Sequence, residues 1–90
     1  MSVERKVRLV NRHGLHARPA AEFVKLANQF QSSIQISKDG QDINGKSIIE
    51  ILLLAAEHGT ELTLRADGAD AERAVASLEA LIQNRFGEEE

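Results

Sequence analysis

Apolar residues recur along the chain with two periods, close to two and close to 3.6, and the switches between them mark the elements. Val3, Val7 and Leu9 share one parity, with polar Glu4, Lys6 and Arg8 between them, which predicts a strand with one buried face. Asn11-Arg12-His13-Gly14 breaks that alternation. From Ala17 to about Asn28 the spacing lengthens. Ala20, Phe23, Val24, Ala27 and Phe30 fall at i, i+3, i+4, i+7 and i+10, the stripe of an amphipathic helix. Ile34 and Ile36 alternate as a second strand, Lys38-Asp39-Gly40 has turn chemistry, and Ile43 marks a short third strand. Ser47-Ile48-Ile49-Glu50 has the S-x-x-E form of a capping box, so a helix is expected from Ser47 to about Glu57, with Gly59 stopping it in a left-handed cap. Leu62, Leu64 and Ala66 give a fourth strand, and Asp67-Gly68 turns the chain. A last helix, from about Asp70 to Arg85, carries Ala71, Ala74, Val75, Leu78, Leu81 and Ile82 on one stripe and ends at Gly87.

The resulting order is β-α-β-β-α-β-α. Strands with one apolar face need cover on that face alone, so the expected fold class is α+β: a four-stranded antiparallel sheet with three helices on one face, an open-faced sandwich. No repeat, low-complexity segment or Pro/Gly-rich linker divides the 90 residues. One domain over residues 1–90 is expected, with Glu88-Glu89-Glu90 as a frayed acidic tail. Hydrophobic residues make up 42% of the chain, enough for one modest core, and three Phe without Trp or Tyr make that core aliphatic. The absence of Cys excludes a disulfide scaffold, a thiolate zinc site, an iron–sulfur cluster and a Cys nucleophile. The apolar runs around Glu50 fall far short of the ~20 residues of a membrane span. The start lacks the apolar stretch of a signal peptide, so a soluble cytoplasmic protein is expected.

Charge is asymmetric. Residues 1–46 carry eight Lys/Arg against four Asp/Glu, a balance of +4, and residues 47–90 carry three against ten, a balance of −7. Net acidity, with no aromatic-rich strand on which bases could stack, argues against nucleic-acid binding. A local basic face from the first half suits an acidic partner or a phosphate.

The segment with chemistry lies between the first strand and the first helix, Asn11-Arg12-His13-Gly14-Leu15-His16-Ala17-Arg18-Pro19-Ala20. Gly14 permits a tight turn at positive φ. His16 then falls at the helix N-cap, and the backbone N–H groups of Ala17 and Arg18 are donors that a helix start cannot satisfy internally. Pro19 has no N–H, but within the first turn that loss breaks no helical bond. Arg18 adds a guanidinium beside the imidazole. The arrangement is an anion site at a helix N-terminus with a nucleophilic ring nitrogen at its centre. An imidazole can take a phosphoryl group and release it again. No carboxylate in the segment stands ready to activate water, which fits transfer better than hydrolysis. His13 and His58 have no such context and are expected at the surface.

Gly14-Leu15-His16-Ala17-Arg18-Pro19-Ala20 resembles the active-site signature of the HPr family, the histidine-containing phosphocarriers of the bacterial sugar phosphotransferase system. Gly45-Lys46-Ser47-Ile48 resembles the family's regulatory serine segment. Glu57-His58-Gly59-Thr60-Glu61-Leu62 and Asp67-Gly68-Ala69-Asp70-Ala71 resemble its later turns. The resemblance implies a stoichiometric phosphoryl carrier and not an independent enzyme, working as a monomer without a cofactor or metal. It implies that His16 accepts the phosphoryl group on Nδ1 from phospho-enzyme I and donates it to IIA domains of sugar permeases, with Arg18 and the backbone of Ala17 and Arg18 holding the phosphate. It further implies docking through Ala20, Ile48 and Leu52, and modification of Ser47 by a serine kinase/phosphorylase. No membrane or nucleic-acid partner is implied.

Bland readings stand beside these. Arg18 could be a solvated charge, and Ser47 with Glu50 explains itself as a helix cap. Ile51 and Leu54 are expected in the core, with Ile48 and Leu52 exposed. The nitrogen-related branch of the same family shares the chemistry, with regulatory output in place of sugar uptake. A small-molecule-binding regulatory α+β domain is the rival from another class, and an RNA-binding sheet domain is disfavoured by composition.

Overall fold

A computed structural model describes residues 1–88. The elements are β1 (Ser2–Arg8), α1 (Ala17–Ala27), β2 (Ser33–Lys38), β3 (Gln41–Asn44), α2 (Ile48–Leu54), β4 (Glu61–Asp67) and α3 (Ala71–Gln83), followed by a 3-10 turn at Arg85–Gly87. All seven expected elements are present in the expected order. The four strands form one sheet in the order β1-β4-β2-β3, with every neighbouring pair antiparallel. β1 and β2 therefore run parallel with β4 between them, and α1 is the crossover that such a pair requires.

Register aligns the apolar parity across the sheet. Val3 faces Ala66 and Ala66 faces Ile34, while Leu64 faces Ile36 and Ile36 faces Ile43. These side chains meet Ala20, Phe23 and Ala27 of α1, Ile51 and Leu54 of α2, and Ala74, Leu78 and Ile82 of α3 in a single core. Arg5 shares the inward parity on edge strand β1. Its guanidinium escapes burial by bonding Glu79 of α3 at 2.7 Å, an inward charge of the kind that protects a sheet edge. Among the described residues no helix is long and apolar enough to cross a membrane.

One helix boundary differs clearly from expectation, and a tertiary contact is the reason. α2 ends at Leu54, before Glu57, and its left-handed cap is Ala55 (φ 53°, ψ 40°), whereas Gly59 (φ 85°) belongs to the following turn. The chain leaves α2 early because the Ala56 carbonyl must receive the Leu15 N–H at 2.9 Å while its methyl enters the core. The capping box is half formed. Ser47 Oγ accepts from the Glu50 N–H at 3.3 Å, but the Glu50 carboxylate accepts from the Asn44 N–H at 3.2 Å, not from Ser47. At α3, Asp70 occupies the N-cap without capping its own helix. Its carboxylate instead accepts from the N–H groups of Gln31 and Ser32 and from Ser32 Oγ, pinning the α1–β2 loop. Those bonds, led by the Ser32 hydroxyl and then the Gln31 N–H, hold the Asp70 carboxyl down from 3.8 to about 2.

The acidic end also departs from a frayed tail at its first residue. Phe86 is buried and the Glu88 N–H donates to the Arg85 carbonyl at 2.8 Å, so Glu88 folds back onto the domain. Glu89 and Glu90 lie outside the described residues.

Candidate functional site

The loop after β1 is built on Asn11, which is fully buried. Its backbone carbonyl accepts from the Gly14 N–H at 3.3 Å, and its side-chain Nδ2 donates to the Gly14 carbonyl at 2.8 Å, closing the turn from both sides. Gly14 adopts φ +67°, and a Cβ there would overlap the Ala56 carbonyl and approach Glu57 Cα to 2.7 Å. Only glycine fits, on both counts. Leu15 drops into the core and fixes the height of the next residue.

His16 is the N-cap of α1, in extended backbone (φ −83°, ψ −171°), and its carbonyl receives the first helical bond, from the Ala20 N–H at 2.9 Å. Its ring makes no cap bond, so the imidazole stands clear of its own helix, 41% exposed. The N–H groups of Ala17 and Arg18 have no carbonyl behind them in the helix, and no acidic residue occupies the first turn. Pro19 is buried there at no cost in hydrogen bonds. The Arg18 side chain is 65% exposed beside the ring. The segment thus puts an exposed imidazole that makes no cap bond at the positive end of an 11-residue helix.

The surroundings contain groups that sequence reasoning missed. A carboxylate does stand at the ring, from the far end of the chain. Glu88 Oε2 lies 3.5 Å from His16 Nε2 and 3.8 Å from Arg18 Nη1, and Glu88 Oε1 accepts from Asn11 Nδ2 at 3.0 Å. The segment itself holds no carboxylate, and this one escaped sequence reasoning because 72 residues separate partners that the fold brings together. One signal was available: Phe86, an aromatic beyond the last helical stripe, is buried and so anchors the short segment after it. His13 is exposed as expected, but its ring meets His16 edge-on with centroids 5.3 Å apart. His58 Nδ1 donates to the Asn11 carbonyl at 3.1 Å and braces the loop.

A shallow cleft beside His16 is lined by His13, Leu15, Ala17, Leu52, Ala55 and Glu57, so the end of α2 adjoins the imidazole. Ile48 and Leu52 are exposed, as expected, and Ile51 and Leu54 are core. Ile49 and Leu53 are more exposed still, at 69% and 76%, and complete an apolar patch running from the cleft along α2. Ala20 does not belong to this surface. It faces inward from α1 and is fully buried, so it contacts the core and no partner. Ser47, half-buried, lies at the opposite end of α2 from the cleft.

An open-faced α+β sandwich that presents a histidine at the N-cap of its first helix is the architecture of a phosphocarrier domain. The chain belongs to the HPr family: the family model described as "PTS HPr component phosphorylation site" matches residues 3–84. It is similar to the phosphocarrier protein HPr of Cupriavidus necator, 42% identical over 98% of this chain and 99% of that protein. It is also similar to the HPr-like protein Crh of Bacillus subtilis, 46% identical over 90% and 95%. Among solved structures, an HPr from Thermoanaerobacter tengcongensis superposes with a TM-score of 0.95 at 43% identity, covering 98% of this chain and 99% of that one. Membership makes the chain a phosphoryl carrier of the phosphotransferase system, not a turnover enzyme.

Proposed function

We propose that the chain takes a phosphoryl group from phospho-enzyme I on Nδ1 of His16 and hands it to IIA domains of sugar permeases. The observation that carries this reading is His16 at the N-cap of α1, its exposed imidazole making no cap bond at the helix end where the N–H groups of Ala17 and Arg18 lack helical partners. An incoming phosphoryl group brings about two negative charges, which those donors and the Arg18 guanidinium stabilise. The ring nitrogen forms the new bond to phosphorus as the donor's bond breaks, and the reverse step delivers the group onward. The apolar patch of Ile48, Leu52, Ile49 and Leu53 adjoins the cleft and suits docking of both partners in turn. Ser47 at the far end of α2 is the modification site for a serine kinase/phosphorylase, and the carrier works as a monomer.

Incubation with enzyme I and labelled phosphoenolpyruvate, with subsequent site mapping, tests the reading. Label should sit on His16 alone, acid-labile and alkali-stable, and be absent from His16→Ala. Persistent label on His13 or His58 in that variant would falsify the assignment. Parallel reactions with the sugar-type and nitrogen-related enzymes I separate the two branches of the family.

A further inference from the structure

We infer that Glu88 is a positioning residue for the acceptor histidine: its carboxylate fixes the Nε2–H tautomer of His16 and so leaves Nδ1 as the nucleophile. The inference deepens the phosphocarrier reading and rests on His16 being the acceptor.

Glu88 is held from three directions. Oε1 accepts from Asn11 Nδ2 at 3.0 Å, and Oε2 faces both His16 Nε2 at 3.5 Å and Arg18 Nη1 at 3.8 Å, leaving the side chain only 16% exposed. Behind it, Phe86 is 3% exposed and locks the 3-10 turn against the core. Arg85 and Phe86 both adopt φ 55°, a left-handed conformation unfavourable for non-glycine residues. Such conformations persist where surrounding structure imposes them. Here they aim the next side chain but one at the imidazole. Asn11, the same residue that closes the acceptor loop, is also the residue that holds Glu88.

The chemistry is a matter of valence. A carboxylate accepts hydrogen bonds and cannot donate, so the ring nitrogen facing it carries the proton. In a neutral imidazole the other nitrogen then holds the lone pair. That nitrogen is Nδ1. When its lone pair forms the bond to phosphorus, the donor's bond breaks and its electron pair leaves with the donor. The ring loses no proton. It becomes cationic with Nε2–H still facing Glu88, and the carboxylate offsets that charge across the ring from the phosphoryl group. The 3.5 Å separation is longer than a hydrogen bond, and contacts of this kind tighten when the reacting group charges.

Phosphoramidate, a small donor that phosphorylates histidine without a partner protein, provides the test. With nitrogen-15 in the imidazoles, NMR reads both the tautomer of unphosphorylated His16, with the ring neutral, and the position of phosphorus in the product. The native chain should show His16 mainly as Nε2–H and carry phosphorus on Nδ1. Glu88→Ala should shift the tautomer ratio toward Nδ1–H by about three- to tenfold, the scale of one charge-assisted bond partly open to water. It should also yield a share of Nε2-phosphohistidine. Glu88→Gln, whose amide oxygen still accepts, should fall between. Glu89→Gln with Glu90→Gln removes two charges while leaving Glu88 and should change neither readout. An unaltered amide spectrum outside the loop confirms that each variant is folded. Unchanged tautomer and product position in Glu88→Ala, or an equal shift in the double control, would overturn the role of Glu88. Absence of phosphorus from His16 in the native chain would instead strike the acceptor reading, while the tautomer ratio still decides whether Glu88 orients the ring.

Discussion

A cation in the first turn of a helix is mildly unfavourable unless it serves an anion, and Arg18 occupies that place with most of its side chain in solvent. Its guanidinium acts on the transferring group more than on the partner, so Arg18→Ala should lower the rate of transfer from enzyme I by about 10²-fold with a smaller change in the Michaelis constant. Arg18→Lys should recover part of the rate, since a point charge lacks the fork geometry. Initial-rate kinetics decide this, and a raised Michaelis constant with unchanged turnover would make Arg18 a docking residue. Asp70 has a different task. Because Ser32 and Gln31 hold its carboxyl at about 2, the folded state binds its proton less readily than the unfolded chain does. The stabilisation is complete above the unfolded value near 4 and disappears as pH falls from there through about 2. Asp70→Asn should therefore melt lower than the native chain at pH 7. It should also lose less of its melting temperature between pH 4 and pH 2, as monitored by circular dichroism.

At the scale of elements, α2 carries two separable surfaces. Its core side, Ile51 and Leu54, ties it to the sheet, while Ile49 and Leu53 stand in solvent. Leu53→Ser should change stability by no more than about 0.5 kcal/mol and yet weaken capture by enzyme I, measured by titration calorimetry. At the other end, Ser47→Asp puts charge beside Ile48, which an apolar contact would have to desolvate. It should reduce phosphorylation of His16 while keeping the melting temperature within a few degrees. If it accepts phosphate at the native rate, Ser47 is only a helix cap. Glu50 tempers a phosphate here, because its carboxylate lies one turn away. The element pattern also explains what was legible. α1 could be bounded from sequence because its start depends on local chemistry, from Gly14 to Pro19. The end of α2 could not, because Ala55 and Ala56 answer to Leu15, some 40 positions earlier. Ala20 misled for a related reason: it lies within the active-site signature, but its helical position points it into the core. Glu88 was read as tail because nothing local reveals that Asn11 waits for its carboxylate.

The whole molecule is knit by its strand order. Among the described residues β4 is the last strand made and the only one that joins β1 to β2, so without it β1 has no neighbour and β2 with β3 is a bare hairpin. Two strands alone are marginal in water. A fragment of residues 1–60 should therefore give a disordered circular dichroism spectrum and collapsed amide dispersion, although it contains His16 and all of α1 and α2. Long-range pairing of this kind also slows folding relative to helical domains of equal length. On the ribosome the order of synthesis is thus the reverse of the order of need. The acceptor histidine emerges early, but the sheet beneath it cannot assemble until Asp67 has been added, and the carboxylate at its ring arrives only with Glu88. A nascent chain that still lacks β4 cannot serve as a carrier, and one terminated before Asp67 leaves an unfolded peptide for proteolysis instead of a half-working competitor for enzyme I.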